Sequence, residues 1–353
     1  MKTAGFIGHS FHKKTKSDAF IKNILKENYK IVEFYDESWN FGKSVDINKI
    51  NKNNFNVVVY FQFIHPYSEL KKIKCKNIIW IPMFDSEVKR NYFSYFGYLF
   101  LGVKIISFSK KLFDKIRRIG FECIYLQYFL DPTFLVRQPV GRGKDNKNNV
   151  FFWQRVDKIN WKLVKKIIGN NKIDKVIFKS DCDPGHKSSL PSYTDIKKYN
   201  MQIIDGWLEK SVFFKLLSSC NIFIASRQFE GIGMAFLEAM ALGMCVIAAD
   251  SPTMNEYIIS GKNGYLYDFK KPQMINFSDC KIIGQQARHS VKCGFNRWKI
   301  RQEELLNFLE LPKSEMSFIR RLYLGFAVFW YNILSFLFVF AKKMIKKLLY
   351  YLR

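Results

Sequence analysis

The 353-residue sequence predicts an α/β protein made of two doubly wound, Rossmann-like halves and a hydrophobic, basic C-terminal tail. Three features predict this. Apolar runs of strand length alternate with helical stretches up to about residue 135 and again from 149 onward. A polar segment, Arg137-Gln-Pro-Val-Gly-Arg-Gly-Lys-Asp-Asn-Lys-Asn-Asn149, separates the two stretches and reads as a linker. The composition then changes near residue 312, where the tail begins.

In the first half, Thr3–Ile7 reads as a strand ending at Gly8-His9-Ser10, and Asp18–Glu27 as a helix. Strands follow at Tyr29–Phe34, Phe55–Phe61, Asn77–Ile81 and Val103–Phe108, then a basic helix Lys110–Ile119 and a strand Cys123–Leu126. Apolar runs of this length, spaced by helices, predict parallel strands buried on both faces. In the second half the strands are Asn149–Trp153, Lys175–Phe178, Met201–Ile204, Ile222–Ala225 and Cys245–Ala248. The helices there are Trp161–Ile168, Lys210–Ser218 and Met234–Ala241. Two such halves predict a cleft between them, with ligands beyond the carboxyl ends of the strands.

Lys and Arg number 57 against 30 Asp and Glu, a net charge of +27. That balance points to an anionic partner, whether nucleic acid, anionic lipid or a phosphorylated substrate, or to a compositional bias of the genome. No nucleic-acid module is recognisable. The seven cysteines form no CxxC pair, which predicts a reducing compartment with neither a disulfide framework nor a zinc site. The opening MKTAGFIGHSFH has too short an apolar run for a secretory signal. From Leu322 to Ala341 no Asp, Glu, Lys, Arg or His interrupts the sequence. Such a run is long enough to span a bilayer, since about 20 apolar residues suffice. Arg320 and Arg321 precede it and Lys342, Lys343, Lys346, Lys347 and Arg353 follow it. Basic residues on both flanks favour an in-plane or re-entrant helix on an anionic surface, with a single span or a buried soluble helix as the alternatives.

The chemistry is concentrated between Asn221 and Asp268. A strand there runs into a loop containing Gly231 and Gly233, and the loop opens a helix. Free N–H groups and the helix dipole make such a junction a site for a diphosphate. Glu230 stands before the helix and Glu238 eight positions later, inside the apolar run MAFLEAMALG. An unpaired carboxylate there is costly, so a ligand partner is expected for Glu238.

The stretch Glu230-Gly-Ile-Gly-Met-Ala-Phe-Leu-Glu238-Ala, with Met240-Ala-Leu-Gly243, Val246-Ile-Ala, Asn255-Glu-Tyr-Ile258 and Gly261-Lys-Asn-Gly264, resembles the signature of the group 1 (family 4) retaining glycosyltransferases. The resemblance implies a GT-B fold and metal-independent, cofactor-free transfer of a sugar from a nucleotide-sugar donor. With the linker and the tail read above, it divides the chain into an acceptor-side domain over 1–138, a donor-binding domain over 139–311 and a membrane-associating tail over 312–353. Glu230 would hydrogen-bond the transferred sugar and Glu238 the ribose, with the backbone of Gly231, Gly233 and Met234 against sugar and phosphate. Thr253, Met254 and Asn255 would line the donor sugar, and Glu256 would be structural. Arg155 matches the first of the family's two diphosphate cations. The second falls on Asn160, where Lys158 or Lys162 would have to substitute. In the first domain, Gly8 and His9 would approach the donor phosphates, and His65 and Asp85 end strands that face the expected cleft.

Asp181-Cys-Asp183 spells a metal-binding DxD but adjoins Pro184-Gly185, so it reads as a turn. Gly141-Arg-Gly143-Lys144 lacks the spacing of a phosphate-binding P-loop. The expected function is hexosyl transfer to a lipid-linked or lipopolysaccharide-type acceptor at the cytoplasmic face of a bacterial inner membrane, with no nucleic-acid partner. A nucleotide-sugar epimerase or phosphorylase on the same fold, or a basic nucleic-acid-binding protein, are the alternatives.

Overall fold

A computed structural model describes residues 1–136, 147–313 and 315–351. Most of the linker, including Gly141 to Lys144, lies outside the described residues. The chain forms two compact units. One comprises 1–107, 112–125 and 304–353, the other 108–111 and 126–303.

The first unit is built on a parallel six-stranded sheet. Its strands are β1 (Lys2–His9), β2 (Tyr29–Asp36), β3 (Val57–Gln62), β4 (Ile78–Pro82), β5 (Lys104–Ser107) and β6 (Cys123–Tyr125), in the spatial order β2-β1-β3-β4-β5-β6. The central strands Val57–Phe61 and Ile78–Pro82 are buried along their whole length, as expected of a sheet covered on both faces. The second unit repeats the design with β7 (Asn149–Trp153), β8 (Lys175–Lys179), β9 (Met201–Ile204), β10 (Ile222–Ile224), β11 (Cys245–Ala249) and β12 (Tyr265–Tyr267). Their order is β12-β11-β10-β7-β8-β9, again all parallel. The two doubly wound halves are thus as the apolar runs predict.

The end of the chain departs from the simple reading of a separate tail. A 31-residue helix, Cys280–Glu310, runs from the second unit into the first. Lys104, itself buried, donates from Nζ to the carbonyls of Phe308 and Leu311 at 2.6 and 2.5 Å and so caps that helix's C-terminal end. The tail forms a second long helix, Phe318–Tyr351. Leu324 and Val328, four residues apart, are buried where it meets the short helices Phe93–Tyr95 and Phe96–Phe100. Its opposite stripe, including Leu322, Phe326 and Phe329, is exposed. Among the described residues no helix is long and apolar enough to cross a membrane.

Candidate functional site

In the second sheet the chain starts at β7, moves out through β8 to β9, then returns to β10 and continues to β11 and β12 on the other side. The order therefore reverses between β7 and β10, and loops leaving these two carboxyl ends diverge to open a crevice. The residues that gather there define the candidate site.

Arg155 follows β7, Asp183 follows β8 and Arg227 follows β10. Arg155 donates from Nε and Nη2 to Asp183 Oδ1 at 3.0 and 2.8 Å. Arg227 donates from Nε and Nη2 to the other carboxylate oxygen, Oδ2, at 2.9 and 2.5 Å. Arg227 Nη1 lies 3.8 Å from Glu230 Oε2. All four side chains are mostly shielded from water, which strengthens their mutual attraction. The guanidinium of Arg155 also stands over the Trp153 ring, 4.9 Å from its centroid.

The loop from Ser226 ends at Gly233, whose φ of 84° lies in the left-handed region. A Cβ at this position would collide with the Phe236 ring, so backbone angle and packing both require glycine. Gly233 begins the helix Met234–Ala241 and no side chain caps it, leaving first-turn N–H groups available to an anion. Thr253, fully buried, donates from Oγ1 to the Glu230 carbonyl at 2.6 Å and fastens the 251–255 loop beneath this turn. Met254 is buried, so only its backbone could meet a ligand, while Asn255 donates from Nδ2 to Asp250 at 3.0 Å.

Glu238 lies on the second turn of that helix, and burial pushes its carboxyl above the ordinary range, with Lys210 opposing the shift. Lys210 Nζ is 3.5 Å away but mostly exposed, so the pair is weak and screened. Glu238 therefore has a protein partner beyond the ligand that the sequence called for. Glu256 accepts from Ser109 Oγ at 2.8 Å and Lys110 N at 2.7 Å, capping the start of the helix Lys110–Ile119.

Asn160 accepts from Leu163 N at 3.3 Å and caps the helix Trp161–Ile168. Lys158 and Lys162, on either side of it, are exposed. Asp183 has a second cationic partner in Arg227, on the adjacent strand end. Both Asp residues of the DxD have cationic partners. Asp183 is held by two guanidiniums, and Asp181 pairs with Lys179 and accepts from Gly206 N at 2.8 Å. Among the described residues no group of three or more His, Cys, Asp or Glu could hold a metal ion.

The first unit has its own reversal between β1 and β3. Gly8 and His9 close β1 there, and Gln62 closes β3. His9 packs among His12, Trp39 and Phe63, with centroids 5.9, 6.1 and 5.5 Å away. Burial lowers its pKa, with Asp36 and Glu37 opposing, so at neutral pH it is an uncharged ring. Among the described residues its buried Nδ1 has no hydrogen-bond partner. His65 is different. It accepts at Nδ1 from Tyr60 O–H at 2.7 Å and donates from Nε2 to the Val45 carbonyl at 2.9 Å. Both ring nitrogens are spent inside the unit, a structural arrangement rather than the expected ligand contact. Asp85 accepts from Ser86 N at 3.0 Å in the first turn of the helix Phe84–Glu87.

Residues 194–278 match the family model described as Glycosyl transferases group 1. No curated protein sequence matches the chain. Its backbone is similar to that of HepE from Anabaena, solved in complex with UDP and glucose, at a TM-score of 0.58 and 13% identity, covering 88% of this chain and 100% of that one. It is also similar to a sucrose-phosphate synthase from Thermosynechococcus elongatus (TM-score 0.59, 10% identity, 88% and 99% covered) and to the apo structure of OtsA (0.61, 10%, 88% and 99%). The chain has the GT-B fold. With the matched domain, that fold supports a GT-B glycosyltransferase. Identities this low carry the architecture and leave substrate chemistry to the residues of this chain.

Proposed function

We propose that this chain is a retaining glycosyltransferase that moves a sugar from a nucleoside-diphosphate sugar to a membrane-associated saccharide acceptor, as in lipopolysaccharide, O-antigen or capsule assembly. The observation that carries the reading is the cluster of Arg155, Asp183, Arg227 and Glu230 at one strand-order reversal, with Glu230, the uncapped turn at Gly233 and Glu238 all inside the matched segment 194–278. Breaking the anomeric bond builds negative charge on the departing diphosphate. Preoriented guanidinium and backbone N–H groups stabilise that charge without a metal. Glu230 would hold the transferred sugar and Glu238 the ribose, while the acceptor hydroxyl attacks the face that the diphosphate vacates. No side chain is assigned as a covalent nucleophile.

A membrane-bound acceptor is supported by the exposed apolar stripe of the helix Phe318–Tyr351 and by its basic flanks, which suit anionic headgroups at the cytoplasmic face of the inner membrane. Calorimetric titration with UDP, GDP and ADP tests the donor assignment, with saturable binding of at least one expected. Nucleotide-sugar turnover should require an acceptor extract, and turnover of the sugar without one would instead indicate an epimerase. Glu230→Ala should cut turnover by about 100-fold, the cost typical of losing one preorganised polar contact to the transition state. Wild-type turnover in that variant, or no diphosphate binding by the native protein, defeats the reading.

A further inference from the structure

We propose that Arg227 is the second diphosphate cation of this site, taking the place of the lysine for which the chain has Asn160. The proposal rests on the reading of the second unit as the nucleotide-sugar domain and assigns a residue within it.

The first argument is position. In the pairing of β10 with β7, Ile222 stands opposite Val150, Phe223 opposite Phe151 and Ile224 opposite Phe152. Carried three residues past the last pair, that register sets Arg227 beside Arg155. These two strands flank the reversal, where the loops diverge. Position 160 instead begins a helix, its amide engaged in capping.

The second argument is geometry. Asp183 presents one oxygen to each arginine, and each guanidinium approaches it through Nε and Nη2. One anion thus holds two planar forks side by side, an arrangement that bidentate recognition of phosphate oxygens requires. A diphosphate presents more oxygens and more negative charge than one carboxylate, so it can engage both forks while Asp183 keeps them aligned.

The third argument is charge. Arg155, Arg227, Asp183 and Glu230 sum to neutrality, so the cluster alone sets up no strong field. Glu230 keeps its charge when it accepts from a sugar hydroxyl, so what the cluster offers a diphosphate is two oriented guanidiniums rather than a net positive field. Arg227 also lies 3.8 Å from Glu230, which links the group on the leaving diphosphate to the group on the sugar across the bond that breaks.

The test is calorimetric titration of the full-length protein, Arg227→Ala and Arg227→Lys with the nucleoside diphosphate that binds the native chain and with its monophosphate. Arg227→Ala should weaken diphosphate binding at least tenfold and monophosphate binding by no more than about threefold, since the contact it removes is charge-assisted and directed at the second phosphate. Arg227→Lys, which keeps the charge and loses the fork, should fall between. Unchanged diphosphate affinity in either variant, or equal loss for both ligands, overturns the assignment while leaving the glycosyltransferase reading intact. If Arg227→Ala does not fold, the lysine variant decides alone. A native protein that binds no nucleoside diphosphate overturns both.

Discussion

His12 is charged in an unfolded chain at pH 5 and held neutral in the fold. Its ring donates and accepts inside the first unit, at 2.7 Å from Ser17 Oγ and 3.1 Å from Gln62 Oε1, and burial lowers its pKa to about 4, with His9 pushing the same way. A group whose folded pKa lies below its unfolded value contributes stability that is present above the unfolded pKa of 6.5 and is lost as pH falls through the folded one. Thermal melts of the native protein should therefore fall between pH 6.5 and about 4, His12 accounting for roughly 2–3 kcal/mol of that loss. His12→Gln should melt lower at pH 7 but with a shallower slope across that window, and an unchanged slope would remove His12 from the account. At this scale the sequence was readable where a residue type has one use. Arg155 could be named because it follows a strand inside a recognised pattern. Arg227 had a signal too. Val150-Phe-Phe-Trp-Gln-Arg155 and Ile222-Phe-Ile-Ala-Ser-Arg227 place Arg at the same offset from strands that prove to be neighbours. Only the strand order turns that coincidence into proximity. Asp183 and Lys210 could not be assigned, because a turn carboxylate and a helix lysine look alike whether they meet solvent or a buried charge.

Elements were most legible where burial is symmetrical. Apart from the three-residue edge strand β12, which the spacing does not mark, the strand runs of both sheets and the helices Lys110–Ile119, Trp161–Ile168 and Lys210–Ser218 follow directly from apolar spacing. The long helix Cys280–Glu310 does not. It buries about one residue per turn, among them Ile283, Ala287, Val291, Trp298 and Leu305, within an otherwise polar sequence, and that stripe is too thin to stand out. The element with the sharpest requirement is the turn into the helix Met234–Ala241. Gly233→Ala would have to accept both a φ of 84° and a clash with the Phe236 ring. Overpacking of this kind costs about 1–3 kcal/mol. Gly185, with a φ of 85° and open space around its Cβ direction, is the control for the dihedral alone. Gly233→Ala should melt lower than Gly185→Ala and lose nucleotide binding as well, because the first-turn N–H groups move with the helix. Equal melting temperatures in the two variants would show that Phe236 yields freely and that the turn tolerates a side chain.

For the whole molecule, the proposed place of action at a membrane rests on the tail. Composition alone marked 312–353 as different, but not that one stripe of its helix would be buried against the first unit. Leu324 and Val328 face inward, so deleting the helix exposes core and confounds stability with membrane affinity. Leu322, Phe326 and Phe329 avoid that difficulty, being 59, 65 and 59% exposed on the opposite face. Their exposure carries little folding energy and much potential contact with acyl chains, at about 0.8 kcal/mol per buried CH₂. The basic flanks add about 1 kcal/mol per Lys or Arg near an anionic surface, an attraction that salt screens. The native protein should therefore sediment with vesicles containing phosphatidylglycerol more strongly than with phosphatidylcholine alone, and less so at high salt. Changing Leu322, Phe326 and Phe329 together to Gln should reduce vesicle binding at least tenfold with the melting temperature nearly unchanged. Turnover should survive on a detergent-solubilised acceptor and fall on one embedded in vesicles. Vesicle binding by the triple variant equal to that of the native protein would mean that this stripe does not meet lipid and that the acceptor's membrane must be sought elsewhere on the basic surface.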